Sequence, residues 1–80
     1  MESETVVLVS RIWREVLGVE TIEPTDDFFE LGGHSLLGSQ VLARLGKETG
    51  ARLPLHLFKE CPTLESFGHA VDAQVRAEGR

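Results

Sequence analysis

Residues 26–37 read DDFFELGGHSLL, and this stretch joins a glycine-containing loop directly to the start of an amphipathic helix. Two consecutive glycines, Gly32 and Gly33, leave the backbone free to turn. Because they have no side chains, nothing projects from the surface there beside the serine hydroxyl. Ser35 then falls where a helix begins, and there the unpaired N–H groups and the helix dipole favour an anion. The stretch therefore predicts that Ser35 lies at the junction of a loop and a helix. At that position a phosphate ester on its hydroxyl would be favoured electrostatically.

A first helix is predicted before this stretch, from about Ser3 to Leu17, with Ser3 as its N-cap and Gly18 just past its end. Its apolar residues recur at helical spacing, which predicts one buried face. These residues are Val6, Val9, Trp13 and Val16, with Leu8, Ile12 and Leu17 beside them.

A second helix is predicted from near Ser35 to near Thr49, with Gly50 as its stop. Its apolar stripe consists of Leu37, Val41 and Leu45. Gly38 lies inside this helix, where it lowers helix stability and suggests a close approach by another backbone. The connection from residue 19 to residue 34 is long, and such loops are often functional. At least one of its large apolar residues is expected to pack into the core: Phe28, Phe29 or Leu31.

Residues 54–60 allow only one or two helical turns before a last helix begins after Pro62, with Thr63 as its N-cap. Leu64, Phe67 and Val71 mark the inward face of that helix. The predicted fold is therefore all-α. It is a small four-helix bundle, made of three main helices and one short one, with a long loop between the first and second helices. One domain is expected over residues 1–80, with its core over about 5–75.

Composition narrows the classes of function. The 80 residues suffice for one small domain, and the formal net charge of −5 disfavours nucleic acid and anionic membranes as partners. Cys61 is the only cysteine, so no internal disulfide can form. No apolar run approaches the roughly 20 residues that span a bilayer, and the acidic start is unlike a signal peptide. A cytoplasmic protein is expected.

The same residues allow other interpretations. From the residues alone, Ser35 is more simply explained as a helix N-cap, although Gly38 stands where a capping box wants Glu or Gln. The G-x-S-x-G elbow of serine hydrolases fails, because Leu37 replaces its second glycine and no strand is expected before Ser35. Zinc and EF-hand spacings are absent, so no metal site is expected. A helical protein-interaction module without a covalent cofactor remains the alternative function.

The hexapeptide LGGHSL at residues 31–36 resembles the core motif of peptidyl carrier (thiolation) domains of nonribosomal peptide synthetases. The preceding residues 26–30 and the later segment 54–64 also resemble that family. The resemblance covers nearly the whole chain, from about residue 5 to residue 75. It implies a four-helix bundle whose third helix is short and which catalyses nothing itself.

The resemblance also implies the chemistry. A phosphopantetheinyl transferase would use Mg²⁺ to move 4′-phosphopantetheine from coenzyme A onto the Ser35 hydroxyl. Gly32 and Gly33 would provide the turn, and His34 would precede the attachment point. The arm would carry an aminoacyl or peptidyl thioester to adenylation, condensation and possibly thioesterase domains.

His34 favours the peptidyl branch, because acyl carriers of fatty-acid and polyketide synthesis typically have Asp there, although an aryl carrier stays open. A monomer is expected. Leu36 is expected to be partly exposed and to help partners dock, the alternative being that it only packs against the loop. Ser39 and Gln40 are further candidates for partner contact.

Overall fold

Four helices form the part of the chain that the computed structural model describes, residues 4–78. They are α1 (Glu4–Leu17), α2 (Ser35–Thr49), α3 (Leu57–Glu60) and α4 (Leu64–Ala77). The all-α fold with one short helix and a long first loop is thereby confirmed. The predicted N-cap, Ser3, lies outside the described residues. The division into a single domain over 1–80 stays a prediction.

An aromatic cluster forms the centre of the bundle. Trp13 of α1 is fully buried, and its ring centre lies 5.0 Å from that of Phe28 and 5.5 Å from that of Phe67. Phe58 of α3 stacks on Phe67 of α4 with 4.3 Å between ring centres. The cluster therefore joins α1, α3 and α4 to the long loop, which contributes Phe28. The predicted apolar faces of α1, α2 and α4 surround it with Val9, Ile12, Val41, Leu45, Leu64 and Val71.

Phe28 is the large apolar residue of the loop that is fully buried in the core. It is completely buried, whereas its neighbour Phe29 is 44% exposed. Rings of this size contribute strongly to core stability because of the area they bury. Phe28 therefore anchors the loop that leads to the glycine pair.

Backbone hydrogen bonds fix the same loop to the start of α4. The Phe28 N–H donates to the Pro62 carbonyl at 2.8 Å, and the Leu64 N–H donates to the Asp26 carbonyl at 3.0 Å. Within the loop, the Asp27 carboxylate accepts a hydrogen bond from the Phe29 N–H at 2.7 Å and caps a turn. The loop before Ser35 is thus attached at several points.

Left-handed glycines end two helices. Gly18 follows α1 with φ +72°, and Gly50 follows α2 with φ +76°, where its N–H donates to the Gly46 carbonyl at 2.7 Å. Both were predicted as stops, because residues with a side chain rarely adopt positive φ. Among residues 4–78, no helix is long and apolar enough to cross a membrane.

Thr63 caps α4 through a reciprocal pair of hydrogen bonds. Its hydroxyl accepts from the Ser66 N–H at 3.2 Å, and the Ser66 hydroxyl accepts from the Thr63 N–H at 3.2 Å. We expect Thr63→Ala to lower the free energy of unfolding by about 1 kcal/mol, since one cap acceptor is lost. Urea denaturation followed by circular dichroism measures this. Thr63→Ser keeps the hydroxyl and should retain most of the stability, so equal losses in both variants would contradict the capping role.

Candidate functional site

Ser35 is the first residue of α2 and is exposed. The N-cap is His34, whose backbone is extended and whose side chain makes no capping hydrogen bond. The interpretation of Ser35 as a simple N-cap is therefore wrong by one position, because the chain becomes helical at Ser35 itself. Within residues 4–78, the Ser35 hydroxyl has no hydrogen-bond partner. A hydroxyl with no structural task is open to modification.

The first turn of α2 offers unpaired donors. The first bond of the helix runs from the Gly38 N–H to the His34 carbonyl at 2.7 Å, so the N–H groups of Ser35, Leu36 and Leu37 have no intrahelical acceptor. The first turn contains no acidic residue. These donors and the dipole of a 15-residue helix favour a negative group on Ser35.

Gly32 and Gly33, the two glycines before Ser35, have different structural roles. Gly32 has φ +104° and nothing within 4 Å of the place of a Cβ, so it provides the turn and the low surface that were predicted. At Gly33, a Cβ would overlap the Phe28 ring and lie 2.7 Å from the Phe28 carbonyl oxygen. The prediction that both glycines clear the surface is therefore wrong for Gly33, which is needed for close packing on the buried Phe28.

A cleft of about 240 Å³ opens beside Ser35, between the start of α2 and the α3 region. Gly38 forms part of its wall, and a Cβ there would lie 3.3 Å from the Phe58 ring. The prediction that a second backbone approaches Gly38 is wrong, since the close neighbours are the side chains of Phe58 and Leu55. The residues that line the cleft are Phe28, Phe29, His34, Ser35, Gly38, Leu55, His56, Phe58 and Lys59.

Apolar side chains are exposed around the serine. Leu36 is 64% exposed, so the alternative in which it only packs against the loop is wrong, and its role in docking stays a prediction. Phe29 and Leu55 are each 44% exposed. Ser39 and Gln40 are also exposed on α2. Exposed apolar residues in such proximity are typical of a surface that meets other proteins.

The structure gives no support to hydrolytic or metal chemistry at this place. In the described part of the chain, no strand leads into Ser35 and no group of three His, Cys, Asp or Glu residues could hold a metal ion. Cys61 is a free, half-buried thiol that packs against the core.

The residues at the site fit a phosphopantetheine group. Ser35 offers an accessible oxygen, and the first turn of α2 offers N–H groups for a phosphate. Lys59 and two histidines, His34 and His56, line the adjoining cleft. No carboxylate is among the lining residues, although the chain as a whole is acidic. The local charge therefore favours a phosphodiester.

Some of these residues were missed by the sequence reasoning. Phe29, Leu55, His56, Phe58 and Lys59 line the cleft but were not named as site residues. Four of them lie about 20 positions after Ser35. They were missed because no local sequence pattern indicates that the short α3 region faces the start of α2. The partial exposure of two apolar residues can be seen only once the helices are placed.

Comparisons with known proteins agree on one family. The sequence profile described as "Phosphopantetheine attachment site" matches residues 7–71. The chain is 49% identical over 57 residues to tyrocidine synthase 3 of Brevibacillus parabrevis, a match that covers 71% of this chain. It is 39% identical over 64 residues to gramicidin S synthase 2 of Brevibacillus brevis, which covers 80% of this chain. The chain spans about 1% of the length of each of these relatives.

Two solved structures extend the similarity to three dimensions. One is the complex of the phosphopantetheine transferase Sfp with coenzyme A and a peptidyl carrier protein. It matches at a TM-score of 0.84 and 32% identity, over 91% of this chain and 95% of that chain. The other is McyG A-PCP complexed with phenylalanyl-adenylate. It matches at a TM-score of 0.80 and 31% identity, over 88% of this chain and 11% of that chain.

Proposed function

Because this chain belongs to the family of phosphopantetheine-attachment carrier domains of nonribosomal peptide synthetases, we propose that Ser35 is its attachment residue. Its cofactor is 4′-phosphopantetheine, donated by coenzyme A. The observation that carries the assignment is the exposed Ser35 hydroxyl, which has no partner among residues 4–78 and stands at the first position of α2.

Loading forms one P–O bond and breaks another. The Ser35 hydroxyl oxygen attacks the phosphorus that bears the pantetheine, and its proton passes to a base of the transferase. The bond from that phosphorus to the bridging oxygen of the pyrophosphate breaks, and adenosine 3′,5′-bisphosphate leaves. Mg²⁺ in the transferase offsets the phosphate charge. In this chain, the free N–H groups at the start of α2 stabilise the resulting phosphodiester.

The carrier role follows from this attachment. The bound arm supplies a thiol that holds an aminoacyl or peptidyl group as a thioester. Gly32 shapes the turn before Ser35, Gly33 packs that turn against the core, and His34 is the N-cap residue that precedes α2. The domain performs no catalytic step of its own and delivers its cargo to other domains. The cytoplasmic location and the monomeric state stay predictions.

Partners would meet the surface around Ser35. The complex of Sfp with a peptidyl carrier protein supports a phosphopantetheinyl transferase as one partner. The McyG structure supports an adenylation domain as another. Condensation and thioesterase domains follow from the family role alone. We assign these contacts to Leu36, Ser39 and Gln40, which are exposed on α2 beside the attachment point.

The direct test is the intact mass of the chain after incubation with a promiscuous phosphopantetheinyl transferase, Mg²⁺ and coenzyme A. We expect a gain of one phosphopantetheine unit. An unchanged mass in a chain that circular dichroism shows to be helical would refute the proposal and favour an interaction module.

Leu36→Glu should slow this loading about tenfold without unfolding the domain. The variant removes an exposed apolar contact, and a tenfold effect corresponds to about 1.4 kcal/mol of docking free energy. An acid in the first turn of a helix does not harm the helix. The measurement is the initial rate of mass gain at a transferase concentration that limits the reaction.

Two further variants separate the possible causes. Leu36→Gln removes the apolar contact without adding charge, so it isolates the loss of docking from repulsion of the phosphate. Val7→Glu is the matched control, because Val7 is also an exposed apolar residue, at 53%, but lies on α1. Wild-type rates in both Leu36 variants would remove Leu36 from the docking surface.

A further inference from the structure

The charges of this chain are divided unevenly between the segment around Ser35 and the rest of the molecule. Residues 31–59 contain four basic residues and a single acid, Glu48, and therefore carry a net charge of +3. The whole chain carries −5, so the remaining residues carry −8. The basic residues of the segment are Arg44, Lys47, Arg52 and Lys59.

One exposed stripe runs along α2 from the attachment point. Leu36, Gln40, Ala43 and Lys47 are all exposed and recur at the spacing of one helix face. We call these four residues the α2 stripe, and none of them is acidic. At a rise of about 1.5 Å per residue, the stripe extends about 16 Å from the residue after Ser35 to Lys47.

Ion pairs neutralise the charges on one side of the stripe but not those on the stripe itself. Arg44 lies 3.0 Å from the Glu15 carboxylate, and Glu48 lies 3.8 Å from the Arg11 guanidinium, so both residues pair with α1. Lys47 makes no ion pair with any residue in the range 4–78. Its ammonium group is therefore available to a partner.

A second unpaired cation lies near the Ser35 end of the stripe. Lys59 is exposed, lines the cleft beside Ser35 and makes no ion pair within residues 4–78. Glu60 is the acid that borders this region, and its carboxylate lies 4.0 Å from His56. Leu36, which is 64% exposed, adds an apolar contact point. The surface thus combines two free ammonium groups with one large apolar side chain.

We propose that the α2 stripe and Lys59 together dock protein domains whose own surface carries carboxylates. The inference rests on the proposed carrier function and adds the charge of the partner surface to it. Carboxylates opposite Lys47 and Lys59 would complement the two unpaired ammonium groups, and an apolar pocket would receive Leu36. Charge complementarity of this kind accelerates association and fixes the orientation of the partners.

The acidic remainder of the chain favours a protein over a nucleic acid as the anionic partner. Five acids lie within residues 20–30 of the loop before Ser35, and no Lys or Arg lies between residues 15 and 43. A nucleic acid is negative along its whole length, so it would be repelled wherever it extended over this loop. A protein surface can change sign, with carboxylates opposite the stripe and basic or neutral residues opposite the loop.

The test is a titration of the unloaded, ¹⁵N-labelled chain with a decaglutamate peptide at low ionic strength. We expect amide resonances of residues 36–47 and 56–59 to shift and saturate. The shifts should disappear at about 1 M salt, where the screening length falls to about 3 Å. No shifts, or shifts spread evenly over the chain, would overturn the inference.

Two further titrations exclude other occupants of the same surface. A single-stranded DNA of equal charge should bind more weakly than the peptide, and tighter binding would assign the surface to nucleic acid instead. Dilution of the chain without peptide should leave the stripe resonances unchanged. Movement of these resonances with protein concentration would assign the surface to a second copy of this chain.

Paired variants locate the contact. Lys47→Gln and Lys59→Gln should each weaken binding of the decaglutamate peptide severalfold, and Lys47→Arg should retain it. Arg76→Gln is the matched control, because Arg76 lies on α4 and is paired with Asp72 at 2.9 Å, and it should leave binding unchanged. Equal weakening by Arg76→Gln would mean that the peptide responds only to total charge, which would overturn the inference.

Competition connects this surface to the enzymes that reach Ser35. With Mg²⁺ in excess, the peptide should slow loading of the wild-type chain severalfold and slow loading of the double variant Lys47→Gln, Lys59→Gln less. Any effect of the peptide on the transferase is the same for both chains, so the difference reports the covered stripe. Equal inhibition would refute the docking role. A wild-type chain that fails to load without peptide would instead refute attachment at Ser35.

Discussion

Replacing Ser35 with alanine will abolish the gain of phosphopantetheine completely and leave the domain folded. The hydroxyl oxygen is the atom that forms the new P–O bond, and alanine has no atom to replace it. The side chain makes no hydrogen bond within residues 4–78, so its removal leaves no unpaired group. Alanine is also a better helix former than serine, and the change in unfolding free energy should stay within about 0.5 kcal/mol.

Intact mass with an excess of transferase measures the first effect, and urea denaturation measures the second. Ser10→Ala is the matched control, because Ser10 lies on α1, away from the site, and its hydroxyl accepts a hydrogen bond from Arg14 at 2.8 Å. That variant should load fully. A residual mass gain in Ser35→Ala would mean that another hydroxyl is the acceptor, and the assignment would fail.

Replacing Gly33 with alanine will destabilise the domain by about 3 kcal/mol, the upper part of the usual range for overpacking. The added Cβ would overlap the Phe28 ring and stand 2.7 Å from the Phe28 carbonyl oxygen. The carbonyl belongs to a backbone segment whose N–H is already bonded to Pro62, so the loop has little freedom to withdraw. In a domain of this size, such a loss is a large part of a total on the order of 4–12 kcal/mol.

The measurement is the midpoint of unfolding in urea. A shift of the midpoint reports a change in stability when the slope of unfolding free energy against urea concentration is unchanged. Gly46→Ala is the control, since Gly46 lies within α2 and a Cβ there would meet the nearest atom, the Ala51 carbonyl oxygen, at an ordinary 3.5 Å. It should stabilise the helix by up to about 1 kcal/mol. If Gly33→Ala loses less than about 1 kcal/mol, the packing role of Gly33 is wrong. Because part of the Gly33→Ala variant is expected to be unfolded, its loading rate should be divided by its folded fraction before it is compared with the wild-type rate.

The helices of this chain could be predicted because their information is local. Apolar residues at helical spacing identified the buried faces of α1, α2 and α4, and Gly18, Gly50 and Thr63 marked three of the boundaries. Which aromatic residue of the long loop enters the core could not be predicted. Phe28 and Phe29 are adjacent and chemically identical, and the choice depends on the bonds that join the loop to the start of α4.

The site also contains residues that could be predicted from the sequence and residues that could not. Ser35 could be identified because its motif is contiguous, and its exposure follows from its position at the start of a helix. The packing role of Gly33 could not be predicted, since it depends on where a ring five residues earlier lies. Lys59 and Leu55 became part of the site only through the placement of α3, which four helical residues and their flanks do not encode locally.

The attachment of the loop to the rest of the bundle also decides how portable the motif is. A designer who moves residues 31–36 into an unrelated scaffold transfers the reactive hydroxyl but not the support beneath it. Gly33 rests on Phe28, and the Phe28 backbone rests on Pro62. The smallest graft that keeps the native shape therefore combines two separate segments, the loop and the entry to α4, together with the aromatic cluster that receives Phe28.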